Sequence, residues 1–377
     1  MRVLGPQKQK SLTSIARLHI SYGLDFGGCE TQMVNLATEY ALRGLKGKIV
    51  FCSLTKGGIS ERRIMDLGFE VFCLELRMWE KPLTALIKLF RFLRQYEILM
   101  LVTTGSEANL FGSLAGRFAH AQLIVTEEIG VRSNTRKQRF FIRFAYKIAN
   151  FNFAVSKLAR ENLLRQRLVD PMKCIVSYAP LNLVRREYKT IDFDGNFVLL
   201  YLGRIHPEKD FNLLLSSLSQ VRQAGLSNFT LKIVGARNFK EQQFLEESVK
   251  SLDLASKVSI HGATGQPNEY IDKCHFLVQS SLSEGMGFSV LEAICRNKPI
   301  VSTNVGIVPE IVVNGCHGFV SKTHEVNSFA AALSQALSID KVRYTKMVEN
   351  VSRIDLSFVA TPKYIDLLDS LEGETNK

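Results

Sequence analysis

Short apolar runs alternate with longer stretches in which apolar residues recur every three or four positions, and this alternation persists along most of the chain. Arg17–Ser21, Lys48–Cys52, Glu70–Leu74, Ile98–Thr103, Leu123–Thr126 and Asn152–Val155 have the length and apolar content of strands. Helical runs such as Glu30–Arg43 and Leu83–Gln95 sit between them. The pattern weakens near Asp170-Pro171 and again over Pro180–Asp194, a polar, charged stretch that reads as a linker. A second series starts at Asn196–Gly203. It continues through a helix at Phe211–Gln223, a strand at Thr230–Val234 and a helix at Glu241–Leu252, then strands at Val258–Ile260, Phe276–Val278, Pro299–Ser302 and Gly318–Val320 and a helix at Ser328–Leu337. Strand–helix alternation of this kind predicts an α/β chain with parallel sheets covered by helices on both faces. The two series predict two doubly wound domains facing a central cleft, over residues 1–185 and 195–358. Residues 359–377 are expected to form a C-terminal helix and tail that crosses back to the first domain.

A 377-residue chain that is 46% hydrophobic and 22% charged can fill two cores, which excludes global disorder. No apolar run is long enough to span a bilayer. Met1 to Ser14 is polar and basic without the apolar centre of a signal peptide, so it predicts a frayed tail on a cytoplasmic chain. The seven cysteines are odd in number and scattered, with no C-x-x-C, which predicts buried free thiols in a reducing compartment. Neither they nor the seven histidines show metal-ligand spacing, so no metal site is expected.

Charge changes the picture more. The net +12 is uneven: residues 1–190 carry 30 Lys and Arg against 15 Asp and Glu, and the remainder is slightly acidic. A basic surface suits nucleic acid, anionic lipid headgroups or a phosphorylated substrate. The densest basic stretch, Arg132 to Lys147, has Phe140, Phe141, Phe144 and Ala145 at helical spacing. That spacing fits first a core-packed helix with a solvated basic face, and second a helix lying against an anionic membrane surface.

The candidate chemistry lies mostly in the second series. In Glu284-Gly-Met-Gly-Phe-Ser-Val-Leu-Glu292, two carboxylates bracket a glycine turn and the start of a helix. A helix N-terminus suits a phosphate, and Glu292, in an apolar helical run, needs a partner that a ligand hydroxyl could supply. The alternative is a capping glutamate followed by a solvated one. Gly203-Arg204 and Lys209 follow a strand, where Arg grips phosphate bidentately and Lys adds a mobile charge, although ordinary surface charge gives the same pattern. Gly27 and Gly28 sit in a strand-to-helix loop that could admit an anion, as any such turn could. Thr303 to Glu310 repeats the strand, glycine turn and carboxylate.

In this order, Gly27-Gly28-x-Glu30, Gly203-Arg204-x4-Lys209, Gly262, Glu284-Gly-x-Gly-x4-Glu292-Ala293, Pro299-Ile-Val and Gly306-x-x-Pro-Glu310 resemble the family-4 retaining glycosyltransferases, the glycosyl transferases group 1. The resemblance covers nearly the whole chain. It implies the GT-B fold, two Rossmann-like domains, with acceptor bound by the first and donor by the second. It also implies retaining transfer of a sugar from a nucleoside diphosphate-sugar to a glycan or lipid-linked acceptor, in cell-surface polysaccharide synthesis, with no metal and no cofactor besides that substrate. By the same likeness Arg204 and Lys209 hold the diphosphate, Glu292 the ribose, and Glu284 the donor sugar. Backbone N–H groups of Met286, Gly287, Phe288 and Ser289 cradle phosphate, Gly203 and Gly262 line the donor, and Gly27 and Gly28 approach it from the first domain. Glu284, Arg204 and Lys209 are thus the expected catalytic group.

The chain departs from the pattern twice. Thr126-Glu127-Glu128 stands where many relatives place a histidine, and Gly235-Ala-Arg237 has one glycine where two are common. A lipid-linked acceptor would account for a basic first domain, with peripheral association on the inner face of the membrane. Two other readings stay open: a nucleotide-sugar epimerase of the same fold, and a basic nucleic-acid-binding protein. Nucleic acid is not an expected partner, because no recognition signature accompanies the charge.

Overall fold

The structure is a computed structural model, and it describes residues 12–25, 27–129, 136–182, 185–186 and 195–375. The chain divides into two compact units. The first comprises Met1–Ala154, Asn162–Pro180 and Thr361–Lys377, and the second Val155–Glu161 and Leu181–Ala360.

In the first unit, β1 (Thr13–Ser21), β2 (Ile49–Ser53), β3 (Glu70–Cys73), β4 (Tyr96–Thr104), β5 (Leu123–Glu128), β6 (Phe151–Ala154) and β7 (Cys174–Val176) form one parallel sheet, ordered β3-β2-β1-β4-β5-β6-β7. Helices cover it, so β2 and β5 are buried along their whole length. A parallel sheet must hide both faces in this way. Helix Thr361–Thr375 packs onto this unit, with Ile365 and Leu368 in the core cluster that holds Tyr40 and Phe51. Asp366, Asp369 and Glu372 recur every three residues along it. Arg17, 2% exposed on β1, pairs with Asp369 and Glu372, and Arg43 pairs with Asp366 at 2.9 Å.

The second unit contains β8 (Phe197–Leu202), β9 (Phe229–Ala236), β10 (Val258–Gly262), β11 (Phe276–Gln279), β12 (Ile300–Ser302) and β13 (Gly318–Val320). They form a parallel sheet ordered β10-β9-β8-β11-β12-β13. Phe197, Leu199, Tyr201, Phe276 and Val278 face helices Phe211–Gln223, Val326–Leu337 and Lys341–Ser352 in one core. Asp210 starts the first of these helices, its Oδ1 accepting from Leu213 N at 3.0 Å.

Four expectations change. Residues 155–161 fall in the second unit rather than the first. In the stretch read as a linker, residues 183–184 and 187–194 lie outside the described residues, whereas Arg185 and Arg186 are fastened to the second unit. Arg185 Nη2 donates to Val351 O at 3.1 Å, Arg186 N to Cys295 O at 3.0 Å, and Arg186 Nη1 pairs with Asp272 at 2.7 Å. Of the basic stretch, residues 132–135 lie outside the described residues, and the rest forms helix Arg136–Ile148. Its core face is Ile142, Ala145 and Tyr146, while Phe140, Phe141 and Phe144 are exposed. The core-packed reading of those three phenylalanines is therefore corrected. The stripe that packs lies opposite Phe140 and Phe144, with Phe141 on its flank. The expected tail also shortens, because β1 begins at Thr13, and residues 1–11 lie outside the described residues.

All seven cysteines are free thiols, four of them buried. Burial pushes the Cys274 thiol up to about 12 and Cys295 to about 11, so both stay protonated near neutrality. Among the described residues, no helix is long and apolar enough to cross a membrane.

Candidate active site

Strand order in the second sheet reverses between β8 and β11, because the chain runs from β8 outward to β10 and then returns to the other side. Loops leaving the carboxyl ends of those two strands diverge, and such a switch point leaves a crevice. The loops here are Gly203–Asp210 and Ser280–Gly287. They are laced together: Leu282 N donates to Glu208 O at 2.8 Å and Ser280 Oγ to Lys209 O at 2.7 Å.

Two glycines make this packing possible. A Cβ on Gly235, whose φ is +138°, would lie 2.0 Å from Gly203 O, so only glycine lets the β9 end pass beneath the Gly203 turn. At Gly306, with φ +59°, a Cβ would lie 2.5 Å from Met286 O and 2.9 Å from Glu284 Cβ. Ile307 N donates to Met286 O at 2.8 Å, pressing this third loop against the Glu284 turn.

Lys209 and Glu284 meet at the centre. Lys209 Nζ donates to Glu284 Oε1, and Ser281 Oγ donates to the same oxygen at 2.6 Å. Both side chains remain partly exposed, so solvent and a ligand can compete for them. Arg204 is exposed on the same loop as Lys209, and its carbonyl accepts from Tyr201 OH at 3.1 Å. Burial, and then the Glu284 carboxylate, push the Tyr201 phenol well above its ordinary value, so it stays a hydrogen-bond donor.

Gly287, left-handed at φ 92°, turns the chain into helix Phe288–Cys295, and among the described residues no side chain caps that end. The first-turn N–H groups and the helix dipole make such a terminus anion-binding. Glu292 lies about one turn inside it, counting 3.6 residues per turn. Burial pushes its carboxyl up to about 7, opposed by Arg296. No hydrogen bond to the Glu292 carboxylate is made from any described residue, and Arg296 itself pairs with Asp272 at 3.1 Å.

Some residues fall elsewhere. Gly262 ends β10 on the same sheet edge, two strands from β8, where Ala263 N donates to Ala236 O at 2.9 Å. Gly27 and Gly28 start helix Gly28–Leu42 in the first unit, with the Glu30 carboxylate against Gly27. Glu127 and Glu128, expected where a histidine is common, are fully buried and engaged. Glu127 Oε2 accepts from Thr104 at 2.9 Å and from Gln32, and Glu128 accepts from Tyr146. Burial pushes Glu127 to about 7.

Three participants were not read from the sequence. Ser156 Oγ donates to Gly285 O at 2.7 Å, and Glu310 accepts from Lys157 N at 2.8 Å, so residues 155–161 brace the Glu284 loop. Gln279, buried at the end of β11, has an amide with no hydrogen-bond partner among the described residues and lies under Gly287. A glutamine closing an apolar strand was the available signal. Among the described residues, no group of three or more His, Cys, Asp or Glu is placed to hold a metal ion.

Two doubly wound parallel sheets of this kind define the GT-B class of fold. Anabaena HepE, solved in complex with UDP, superposes with a TM-score of 0.76 over 96% of this chain and 100% of its own, at 18% identity, a likeness of fold. Sucrose-phosphate synthase from Thermosynechococcus elongatus does so with a TM-score of 0.77 over 95% and 98%, at 14% identity. Residues 187–353 match the family Glycosyl transferases group 1. Among curated relatives, an uncharacterised glycosyltransferase of Methanocaldococcus jannaschii is 26% identical over 218 residues, spanning 57% of each chain. The N,N'-diacetylbacillosaminyl-diphospho-undecaprenol alpha-1,3-N-acetylgalactosaminyltransferase of Campylobacter jejuni is 24% identical over 341 residues, 82% of this chain and 88% of the relative.

Proposed function

We propose that this chain is a retaining glycosyltransferase that moves a sugar from a nucleoside diphosphate-sugar to a hydroxyl of a glycan or lipid-linked acceptor, in the synthesis of a cell-surface polysaccharide. The observation that carries this reading is the Lys209–Glu284 pair at the β8–β11 switch point, beside the uncapped terminus at Gly287. The names of the relatives support the acceptor class, since several act on undecaprenol-linked sugars.

Lys209, Arg204 and the N–H groups of Met286 to Ser289 bind the diphosphate. As the bond from the sugar to the diphosphate breaks, negative charge grows on the leaving oxygens, and these preset cations and dipoles stabilise it. Glu284, held in place by Ser281, faces the positive charge that develops at the anomeric carbon. The acceptor hydroxyl attacks from the face the diphosphate leaves, and the departing phosphate oxygen takes its proton, so the configuration is retained. Glu292 accepts hydrogen bonds from the ribose hydroxyls.

The test is a panel of nucleoside diphosphate-sugars screened by thermal shift, starting with UDP-sugars because neighbours of this fold were solved with UDP. The stabilising donor is then incubated with and without lipid-linked acceptor, and the product linkage is read by NMR. Transfer only with acceptor, with the donor's anomeric configuration kept, is expected. Epimerised donor without acceptor, or an inverted linkage, contradicts the proposal.

A further inference from the structure

In the first unit, helix Ser106–Phe118 packs on β4 and β5 and is flanked by helices Pro82–Leu93 and Arg136–Ile148. The middle helix is almost wholly buried. Each flanking helix turns an apolar ridge away from the sheet. On Arg136–Ile148 the core face is Ile142, Ala145 and Tyr146; at about 100° per residue, Phe140 and Phe144 crown the opposite side. They are 67% and 45% exposed. On Pro82–Leu93 the core face is Ala85, Leu89 and Phe92, and Leu83 and Ile87, 75% and 50% exposed, stand opposite. Trp79, 62% exposed, stands edge-on to Phe111 of the middle helix, with ring centroids 5.9 Å apart.

Core packing does not explain ridges that point outward, and large apolar side chains grouped on a surface mark a docking site. The charges beside them select the occupant. Arg143 and Lys147 flank the phenylalanine ridge, Arg91 and Arg94 the leucine ridge, and all four are exposed. Neither helix contains an Asp or Glu. A protein partner large enough to cover this face would need an equally one-sided acidic surface, whereas a bilayer with anionic headgroups supplies both an apolar interior and a uniform negative sheet. Tryptophan and phenylalanine at the boundary, with cations one turn away, suit that interface.

We propose that this face, formed by helices Pro82–Leu93 and Arg136–Ile148 with Trp79, binds an anionic lipid bilayer. This stands independently of the donor site, and it would place the first unit where a lipid-linked acceptor is presented.

Trp79 is the only tryptophan in the chain and reports directly. The full-length protein is mixed with phosphatidylglycerol/phosphatidylcholine vesicles or with phosphatidylcholine alone, and flotation and Trp79 emission are followed. Binding with a blue shift is expected on anionic vesicles only, weakening as salt is raised. Replacing Arg143 and Lys147 with Ser should weaken partition about 25-fold, at about 5-fold per cation. Phe140→Ser with Phe144→Ser should weaken it at least about 10-fold. Both variants should keep the wild-type thermal shift with donor, which separates loss of docking from misfolding. No flotation, equal binding to neutral vesicles, or wild-type partition in both variants overturns the proposal. So does a Trp79 shift that rises with protein concentration in vesicle-free buffer, which would mark a second copy as the occupant.

Discussion

Glu127 in the first unit and Glu292 in the second are alike in one respect and opposite in another. Both are carboxyls that burial pushes to about 7. Glu127 is wholly enclosed by its own unit: Thr104 and Gln32 donate to its Oε2, Tyr364 of the C-terminal helix lies against it, and its Oε1 has no hydrogen-bond partner among the described residues. Glu292 is half-buried and receives no hydrogen bond from a described residue, on the helix that follows the Gly287 turn. Desolvating an acid is costly, and the cost is ordinarily offset by partners inside the fold. Where those partners are missing at a switch point, water supplies them until a ligand takes its place. A perturbed carboxyl therefore marks a binding site only when a ligand can reach it, as at half-buried Glu292 and not at enclosed Glu127.

The two ion-pair sites differ in the same sense. Arg17 is buried under two carboxylates of the C-terminal helix and fixes that helix to β1, whereas Lys209 and Glu284 stay reachable. Only the second pair can exchange a partner without opening the core.

Four experiments test this contrast, from the largest expected effect to the smallest. Lys209→Ala should lower kcat/KM by about 10³-fold, the range seen for loss of one preorganised electrostatic contact, while the melting temperature stays within a few degrees. Steady-state kinetics beside calorimetry checks it.

Glu127→Gln should act on stability instead. With a native pKa near 7 and an unfolded value of 4.5, Glu127 is protonated in both states below pH 4.5 and ionised in both above 7. Its burial penalty is therefore absent at low pH and complete above 7, so stability falls as pH rises through that window, by on the order of 3 kcal/mol. Urea melts at pH 4.5 and 7.5 should show a smaller fall in the variant, with donor affinity unchanged.

Glu292→Gln should reverse that outcome and weaken donor binding by about 10- to 100-fold, the loss of one or two hydrogen bonds to a charged group. Because hydroxyl donors favour the ionised carboxyl, wild-type affinity should also rise with pH through about 7, and this dependence should vanish in the variant. Gln279→Leu carries the smallest effect. Removing an unpartnered buried amide should raise stability by about 1 kcal/mol, measured by urea denaturation.

Much of the second unit was legible in the sequence because each strand there ends in distinct punctuation. Helix Phe211–Gln223 was placed to the residue, and the loops carrying Gly203, Lys209 and Glu284 fall between the expected strands and helices. The first unit was less legible for physical reasons. Strand β7, Cys174–Val176, is three residues long and has no readable period. Helix Ser106–Phe118 is buried on nearly every side, so no polar stripe marks it. The phenylalanines of Arg136–Ile148 mimic a core stripe because exposed and buried apolar side chains look the same in a sequence. Arg17 and Asp369 are 352 residues apart, and Ser156 and Gly285 are 129 apart. Local pattern cannot report contacts made over such separations.

The most direct measurement is calorimetric titration of the stabilising nucleoside diphosphate-sugar into wild-type protein and the Lys209→Ala, Glu292→Gln and Glu127→Gln variants at pH 8. Weakened binding in the first two, with wild-type affinity in the third, is the predicted result. Equal affinity in all four proteins would contradict a donor site at the β8–β11 switch point.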